Sequence, residues 1–307
     1  MSLESGLYNF GNKYLEKIGY RFVGENSAVK VCHWTKQALR GKGQCYKSKF
    51  YGINSHQCVQ MSPAIKSCNH HCVFCWRDTT TMRPEFENVD NPKNIVDGCI
   101  MEQVKFLQGF KGRSEIDLKQ FKEAMTPKHF AISLDGEPTF YPELPELVDE
   151  IKSRGFTAYV VTNGTKPEVI EKLLEHEPTQ LYVTLPAPNE FLYKKICAPV
   201  IRNGWEKIMQ SLEMLEQFKC NTVIRLTLVK DINMINPELY AEIIEKYKSK
   251  FVEAKAFMSV SFARKRLPFE SMPLHNEIMD FAEKITENCS YKIKDEHRPS
   301  RVVLMSK

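Results

Sequence analysis

Six short apolar runs, each closed by polar residues, most tightly constrain what this chain folds into. The runs are 58–65, 129–134 (HFAISL), 157–161 (TAYVV), 180–185 (QLYVTL), 222–229 (TVIRLTLV) and 254–262 (AKAFMSVSF). Helical spacing fills most of the intervals, as in ELPELVDEIKSRG, KPEVIEKLLEHE, WEKIMQSLEMLEQF and PELYAEIIEKYKSKF. Strands alternating with helices predict an α/β fold with a parallel sheet or barrel. Six units rather than eight predict a partial (β/α)6 barrel. The polar ends Gly136-Glu137-Pro138, Thr162-Asn163, Asn233 and Arg264-Lys265-Arg266 stand just past the strand C-termini, where α/β barrels carry their chemistry. A helix is expected near residues 3–18, and a helical run over 274–286 leads into a basic tail. We divide the chain into an N-terminal extension (1–60), a core (61–266) and a short C-terminal appendage (267–307).

Cysteine placement narrows the chemistry. Cys68, Cys72 and Cys75 form a C-x3-C-x2-C triplet. Three thiolates from one tight loop leave one iron of a cubane cluster open to another ligand. The competing zinc reading wants four closed ligands, usually as two pairs. His70 or His71 would have to serve, although both lie where the loop must already bend. Cys32, Cys45 and Cys58 precede the triplet at even intervals, among Lys36, Arg40, Lys42, Lys47 and Lys49. Cations favour thiolates, which suits a second ligand set; three unrelated buried thiols are the bland alternative. Cys99, Cys197, Cys220 and Cys289 stand singly among apolar residues and are expected to be structural.

The first twenty residues carry charges throughout, unlike a secretory signal. No stretch reaches the roughly 18–20 apolar residues that span a bilayer. A cytoplasmic protein with reduced, metal-bound cysteines and no membrane partner is expected. The net charge of +5 is compatible with a nucleic-acid partner without demanding one.

The triplet, with Phe74 inside it, resembles the signature of the radical S-adenosylmethionine (radical SAM) superfamily. That resemblance implies a [4Fe-4S] cluster whose open iron takes the cofactor's methionine part, and cleavage to a 5′-deoxyadenosyl radical. Gly136-Glu137-Pro138 resembles the superfamily's element for the cofactor's amino group, with Asp135 where many relatives have glycine. Thr162, Asn163 and Asn233 resemble its further polar contacts; each would otherwise be a loop cap.

A narrower resemblance rests on Cys45-Tyr46-Lys47-Ser48-Lys49-Phe50-Tyr51-Gly52-Ile53, the Cys32, Cys45, Cys58 spacing, Cys75-Trp76-Arg77 and ARKRLPFESMP. Together these are similar to the archaeal-type 4-demethylwyosine synthases, over nearly the whole chain. The resemblance implies a lyase of wybutosine biosynthesis that condenses N1-methylguanosine of tRNA-Phe with pyruvate to a tricyclic base. It also implies a second [4Fe-4S] cluster on Cys32, Cys45 and Cys58, able to polarise pyruvate. Lys47 is the candidate Schiff-base lysine, activated by crowding from Lys49, with Lys42, Lys49 and Lys66 as rivals. A solvated or phosphate-contacting Lys47 is the alternative. Electrons would come from an external flavodoxin or ferredoxin, and the chain is expected to be a monomer. For tRNA, Arg264, Lys265 and Arg266 form the best basic cluster, backed by Arg298 and Arg301. Trp76 and Trp34 are candidate platforms for an extruded base. A different radical SAM enzyme, acting on a peptide or inserting sulfur, is the other reading.

Overall fold

The computed structural model describes residues 13–307. Residues 13–17 are helical, and the rest of the helix expected near residues 3–18 lies outside the described residues. Two short strands come first, β1 (Arg21–Phe22) and β2 (Ala28–Val29). Six follow in parallel: β3 (Cys58–Ser62), β4 (His129–Ile132), β5 (Thr157–Thr162), β6 (Gln180–Thr184), β7 (Asn221–Leu228) and β8 (Phe251–Ala256). A C-terminal pair, β9 (Lys292–His297) and β10 (Val302–Ser306), completes one sheet in the order β1-β2-β3-β4-β5-β6-β7-β8-β10-β9. Its centre is the expected (β/α)6 arrangement, a partial barrel.

Strand alternation sorts the side chains into two layers. Val59, Met61, Phe130, Ile132, Val160, Leu181, Val183, Ile224 and Leu226 turn outward and join the main core under the helices. Their inward neighbours Tyr159, Tyr182 and Val223 form a separate cluster with Ile53. Arg225 and Glu253 share that inner face, Arg225 one pleat beyond Val223. The outer face is therefore apolar and the lumen polar, the reverse of a barrel filled with aliphatic side chains.

Three stretches differ from expectation. The last parallel strand starts at Phe251 and stops at Ala256 rather than running over 254–262. Beyond it, Phe257 packs with Val229, Ala263 and Leu267, so the apolarity of that run serves a loop cluster and not a ladder. The C-terminal tail is a hairpin: β10 pairs antiparallel with β8 and buries Val303 and Met305 in the main core. Helices Pro92–Gln108 and Leu118–Ala124, between β3 and β4, have no counterpart in the sequence reading.

Two short helices, His33–Leu39 and Tyr46–Tyr51, lie between β2 and β3 and reach the far edge of the sheet. Lys49 Nζ stands 2.6 Å from Asp295 and donates to the Glu296 carbonyl at 2.7 Å. Trp34 meets His297 edge-on at 5.7 Å between ring centroids. This segment thus links the β3 edge to β9 and brings Lys47 into the lumen.

Candidate active site

Cys68, Cys72 and Cys75 lie on the loop after β3, held by backbone contacts from several elements. Cys68 N donates to Arg83 O at 2.8 Å, His71 N to Cys197 O at 2.8 Å and Val73 N to Ile196 O at 2.9 Å. Two amides point at sulfur: His70 N at Cys68 Sγ (3.4 Å) and Arg77 N at Cys75 Sγ (3.5 Å). Such N–H···S bonds tune iron–sulfur clusters. Burial pushes the Cys75 thiol up to about 11 and raises Cys68 well above the ordinary thiol value. Cys72 is raised first by a hydrogen bond to Cys197, then by burial. Thiols held protonated by burial discharge their protons when a metal binds.

Geometry separates cluster from zinc. Among the described residues, the group of ligating atoms within 4.8 Å of one another is His70, Cys72 and Cys197. At least one pair of the triplet sulfurs therefore lies more than 4.8 Å apart, wider than the roughly 3.8 Å that tetrahedral zinc–thiolate geometry implies. That spread suits a polynuclear cluster. His70 is otherwise engaged, its Nε2 2.8 Å from Tyr193 Oη. Cys197, expected as core filler, is buried but touches the triplet.

The strand ends form one network around Glu137. Its buried carboxylate accepts from Thr139 N and Oγ1 (3.1 and 2.8 Å), Thr162 Oγ1 (2.6 Å) and Asn163 N (2.7 Å). Burial raises its pKa, and these donors oppose the shift. Asn163 Nδ2 donates to Asn69 Oδ1 at 3.0 Å and lies 4.0 Å from Cys68 Sγ, tying β5 to the triplet loop. Asn69 also receives a hydrogen bond from Thr165. Asn69, Thr139 and Thr165 were not singled out in the sequence, although Asn69 stands inside the triplet itself.

Gly136 adopts φ +66°, and a Cβ there would stand 1.8 Å from Ala64 O. Glu137 N donates to Ser67 O at 2.7 Å, so only glycine allows the β4 end to lie against the triplet loop. Asp135, the departure from glycine noted above, accepts from Tyr20 Oη at 2.9 Å and Lys66 N at 3.2 Å and lies 3.6 Å from Arg77 Nε. Phe74 is half-buried against the core. Asn233 is buried, and its amide donates to Pro186 O and Thr227 O, both at 2.8 Å, while accepting from Val229 N at 2.6 Å. It locks the ends of β6 and β7 together.

The basic cluster divides. Arg264 and Lys265 are exposed. Arg266 instead turns back onto the triplet loop, donating to Val73 O (3.2 Å), Thr79 Oγ1 (3.3 Å), Arg77 O (3.2 Å) and Cys75 O. Replacing Arg266 by Met is expected to lower iron retained at the triplet several-fold, because several charge-assisted bonds to the loop are lost together. Iron content after anaerobic reconstitution checks this; unchanged loading would show that the loop holds itself.

The second thiol set meets the lumen. Cys32 and Cys45 precede the two short helices and Cys58 opens β3. Burial raises Cys45 to about 11 and Cys58 further, and each also feels Cys32. Lys47, only 8% exposed, places Nζ 5.0 Å from the Tyr159 ring centroid and 4.6 Å from that of Tyr182. Its pKa is lowered by burial and then by Arg225. The crowding expected from Lys49 is absent: Lys49 points away to Asp295. Lys255 shares the region, lowered to about 8 chiefly by burial.

A cleft of about 410 Å³ opens beside the triplet, bounded by Tyr14, Tyr20, Lys66, Trp76, Arg77 and Phe262 among others. Trp76 is 40% exposed there. Trp34 packs against His33 and His297 at the sheet edge, away from this rim.

Comparison with known proteins agrees with this geometry. Residues 63–243 match the family model of the radical SAM superfamily, and 246–307 that of wyosine base formation. The chain is 48% identical over 291 residues to an S-adenosyl-L-methionine-dependent tRNA 4-demethylwyosine synthase of Pyrococcus abyssi, covering 93% of this chain and 85% of that one. Its counterpart in Methanocaldococcus jannaschii is 38% identical over 303 residues, covering 95% and 94%. A solved structure of TYW1 with a lysine-pyruvate adduct bound superposes with a TM-score of 0.88 at 38% identity, covering 96% of this chain and 94% of that one. The chain belongs to the radical SAM superfamily, within its family of tRNA 4-demethylwyosine synthases.

Proposed function

We propose that this protein condenses N1-methylguanosine of tRNA-Phe with pyruvate to form 4-demethylwyosine, with Lys47 as the residue that holds pyruvate. The observation that carries the reading is a primary amine buried in a polar lumen beside the thiols of Cys45 and Cys58. A structural relative was solved with a lysine-pyruvate adduct bound, and Lys47 is a buried amine beside the second thiol set here.

Lys47 Nζ attacks the keto carbon of pyruvate; the carbonyl oxygen leaves as water and an iminium remains on the protein. Burial favours the neutral, nucleophilic amine. Cys68, Cys72 and Cys75 would hold the cluster that takes S-adenosylmethionine, and Phe74, Gly136, Glu137, Thr162 and Asn163 would contact the cofactor. When bound, cluster and cofactor supply the 5′-deoxyadenosyl radical that removes hydrogen from the N-methyl group of the base. Cys32, Cys45 and Cys58 would hold a second [4Fe-4S] cluster, which would supply a Lewis acid for the keto acid. Glu137, already saturated by four donors on its strand-end side, is a rigid rather than adaptable contact.

The tRNA approaches the rim where Arg264 and Lys265 are exposed, by phosphate attraction. Trp76 and Phe262 flank the cleft beside the triplet, and an extruded base stacks there. Arg266 is reserved for the loop. An external flavodoxin or ferredoxin supplies electrons to a monomeric enzyme. Among the described residues, no helix is long and apolar enough to cross a membrane.

Nucleoside mass analysis tests the whole reading. Anaerobic incubation with reductant, S-adenosylmethionine and tRNA bearing N1-methylguanosine is expected to give a tricyclic nucleoside only when pyruvate is present. Unchanged tRNA with continued 5′-deoxyadenosine release would leave a radical SAM enzyme with another substrate.

A further inference from the structure

The inner face of β6 carries polar groups that the fold leaves without partners. Gln180 and Tyr182 alternate with Leu181 and Val183, which enter the outer core, so both face the lumen. Tyr182 is fully buried and Gln180 is 1% exposed. Among the described residues, neither the Tyr182 hydroxyl nor either end of the Gln180 amide has a hydrogen-bond partner. Burying such groups unpaired is unfavourable, and clusters of them mark a place where something else is meant to bind.

Their surroundings identify the ligand class. The Tyr182 ring has Lys47 Nζ 4.6 Å and Arg225 Cζ 4.6 Å from its centroid. Tyr159, in register with Gln180 on the adjacent strand, places its own ring 5.0 Å from the same amine. Arg225 is fixed by Glu253 (3.2 and 3.3 Å) and by the Tyr46 hydroxyl. Tyr46 and Tyr51 have their hydroxyls engaged with Arg225 and Glu253 respectively, which leaves Tyr182 as the unengaged phenol of this group. An amine for a carbonyl and an unpartnered hydroxyl on the ring it contacts are complementary to a short α-keto acid, with the Arg225 guanidinium against the same ring adding positive charge for its carboxylate.

We propose that the Tyr182 hydroxyl is a substrate-contacting residue for the keto acid joined to Lys47, with the Gln180 amide as a second polar contact on the same strand face. The proposal rests on the assignment of Lys47. When Nζ adds to the keto carbon, the C–O π bond breaks and the oxygen takes up a proton from nitrogen. That oxygen takes up a second proton, the one the lysine ammonium sheds on becoming the free amine, and leaves as water as the C=N bond forms. The Tyr182 O–H donates a hydrogen bond to this oxygen while it is attached, and afterwards to the carboxylate of the iminium. No oxidant or further reactant enters the step.

A hydroxyl kept for substrate has a signature that a structural hydroxyl lacks. Tyr182→Phe keeps the ring beside both cations and removes only the unpaired group, so the resting holoenzyme should melt at the same temperature or higher. Pyruvate KM should rise ~10–100-fold, the usual effect of one bond to a charged substrate group. Adduct trapped with labelled pyruvate and cyanoborohydride should fall in parallel, while iron content and 5′-deoxyadenosine formation hold. Gln180→Met should move the same readouts in the same direction. A lower melting temperature with Tyr182→Phe, or pyruvate kinetics within twofold of wild type, would overturn the proposal. Trapping in Lys47→Met is the control: label retained there would instead sink the assignment of Lys47, whatever Tyr182→Phe does.

Discussion

Lys47→Met is expected to abolish the pyruvate adduct and to reduce tricyclic product by at least ~10³-fold, while 5′-deoxyadenosine still forms. Methionine matches the length of the lysine stem and fits the space between Tyr159 and Tyr182, so the lumen should not collapse. The buried amine is lowered by desolvation, and an apolar chain relieves that cost. The variant should therefore be at least as stable as the parent, which separates lost chemistry from lost folding. Mass spectrometry of the borohydride-reduced protein and of the tRNA nucleosides reads both effects. Product formation within tenfold of wild type would move the role to another amine, Lys255 being the nearest buried rival.

Gly136→Ala should have a comparable effect by an unrelated route. Its φ of +66° favours glycine, and a methyl group there would meet Ala64 O at 1.8 Å. The backbone on both sides is fixed, by Glu137 N on Ser67 O and by Ser67 N on Ala64 O. Relief requires the β4 end and the triplet loop to move apart. A cost of at least ~3 kcal/mol is expected from a strained backbone combined with a clash that no rotamer can relieve. Cluster loading at Cys68, Cys72 and Cys75 should fail with it, because Glu137, Asn163 and Asn69 lose their common frame. Thermal unfolding together with iron content checks this; a variant that loads and melts normally would show the loop to be far more compliant than these contacts imply.

Both predictions turn on residues the chain announces locally, whereas their surroundings are assembled from a distance. The triplet was legible because three ligands on one loop need a short, fixed spacing. The six strands were legible because period-two apolar runs that end in polar residues leave few other folds open. Asp135 showed as a departure from glycine, but its reason, contacts with Tyr20, Lys66 and Arg77, lay across the fold. Arg266 belonged by sequence to a basic run and by structure to the cluster loop. Asn233 follows a strand, where the resemblance implies a cofactor contact, and only the fold shows that its amide also latches two strand ends together.

The sequence alone determined the barrel class and the family, since each is carried by spacing along the chain or by identity to relatives. Only the tertiary structure decided which charges face one another. The lumen collects Lys47 from the N-terminal segment, Tyr182 from β6, Arg225 from β7 and Glu253 from β8, far apart in sequence and adjacent on the inner face. The downward shift of the Lys47 pKa follows from burial and Arg225 rather than from Lys49, its sequence neighbour. Desolvation and Coulomb interaction depend on distance through space, and chain order does not encode that distance until the sheet has closed.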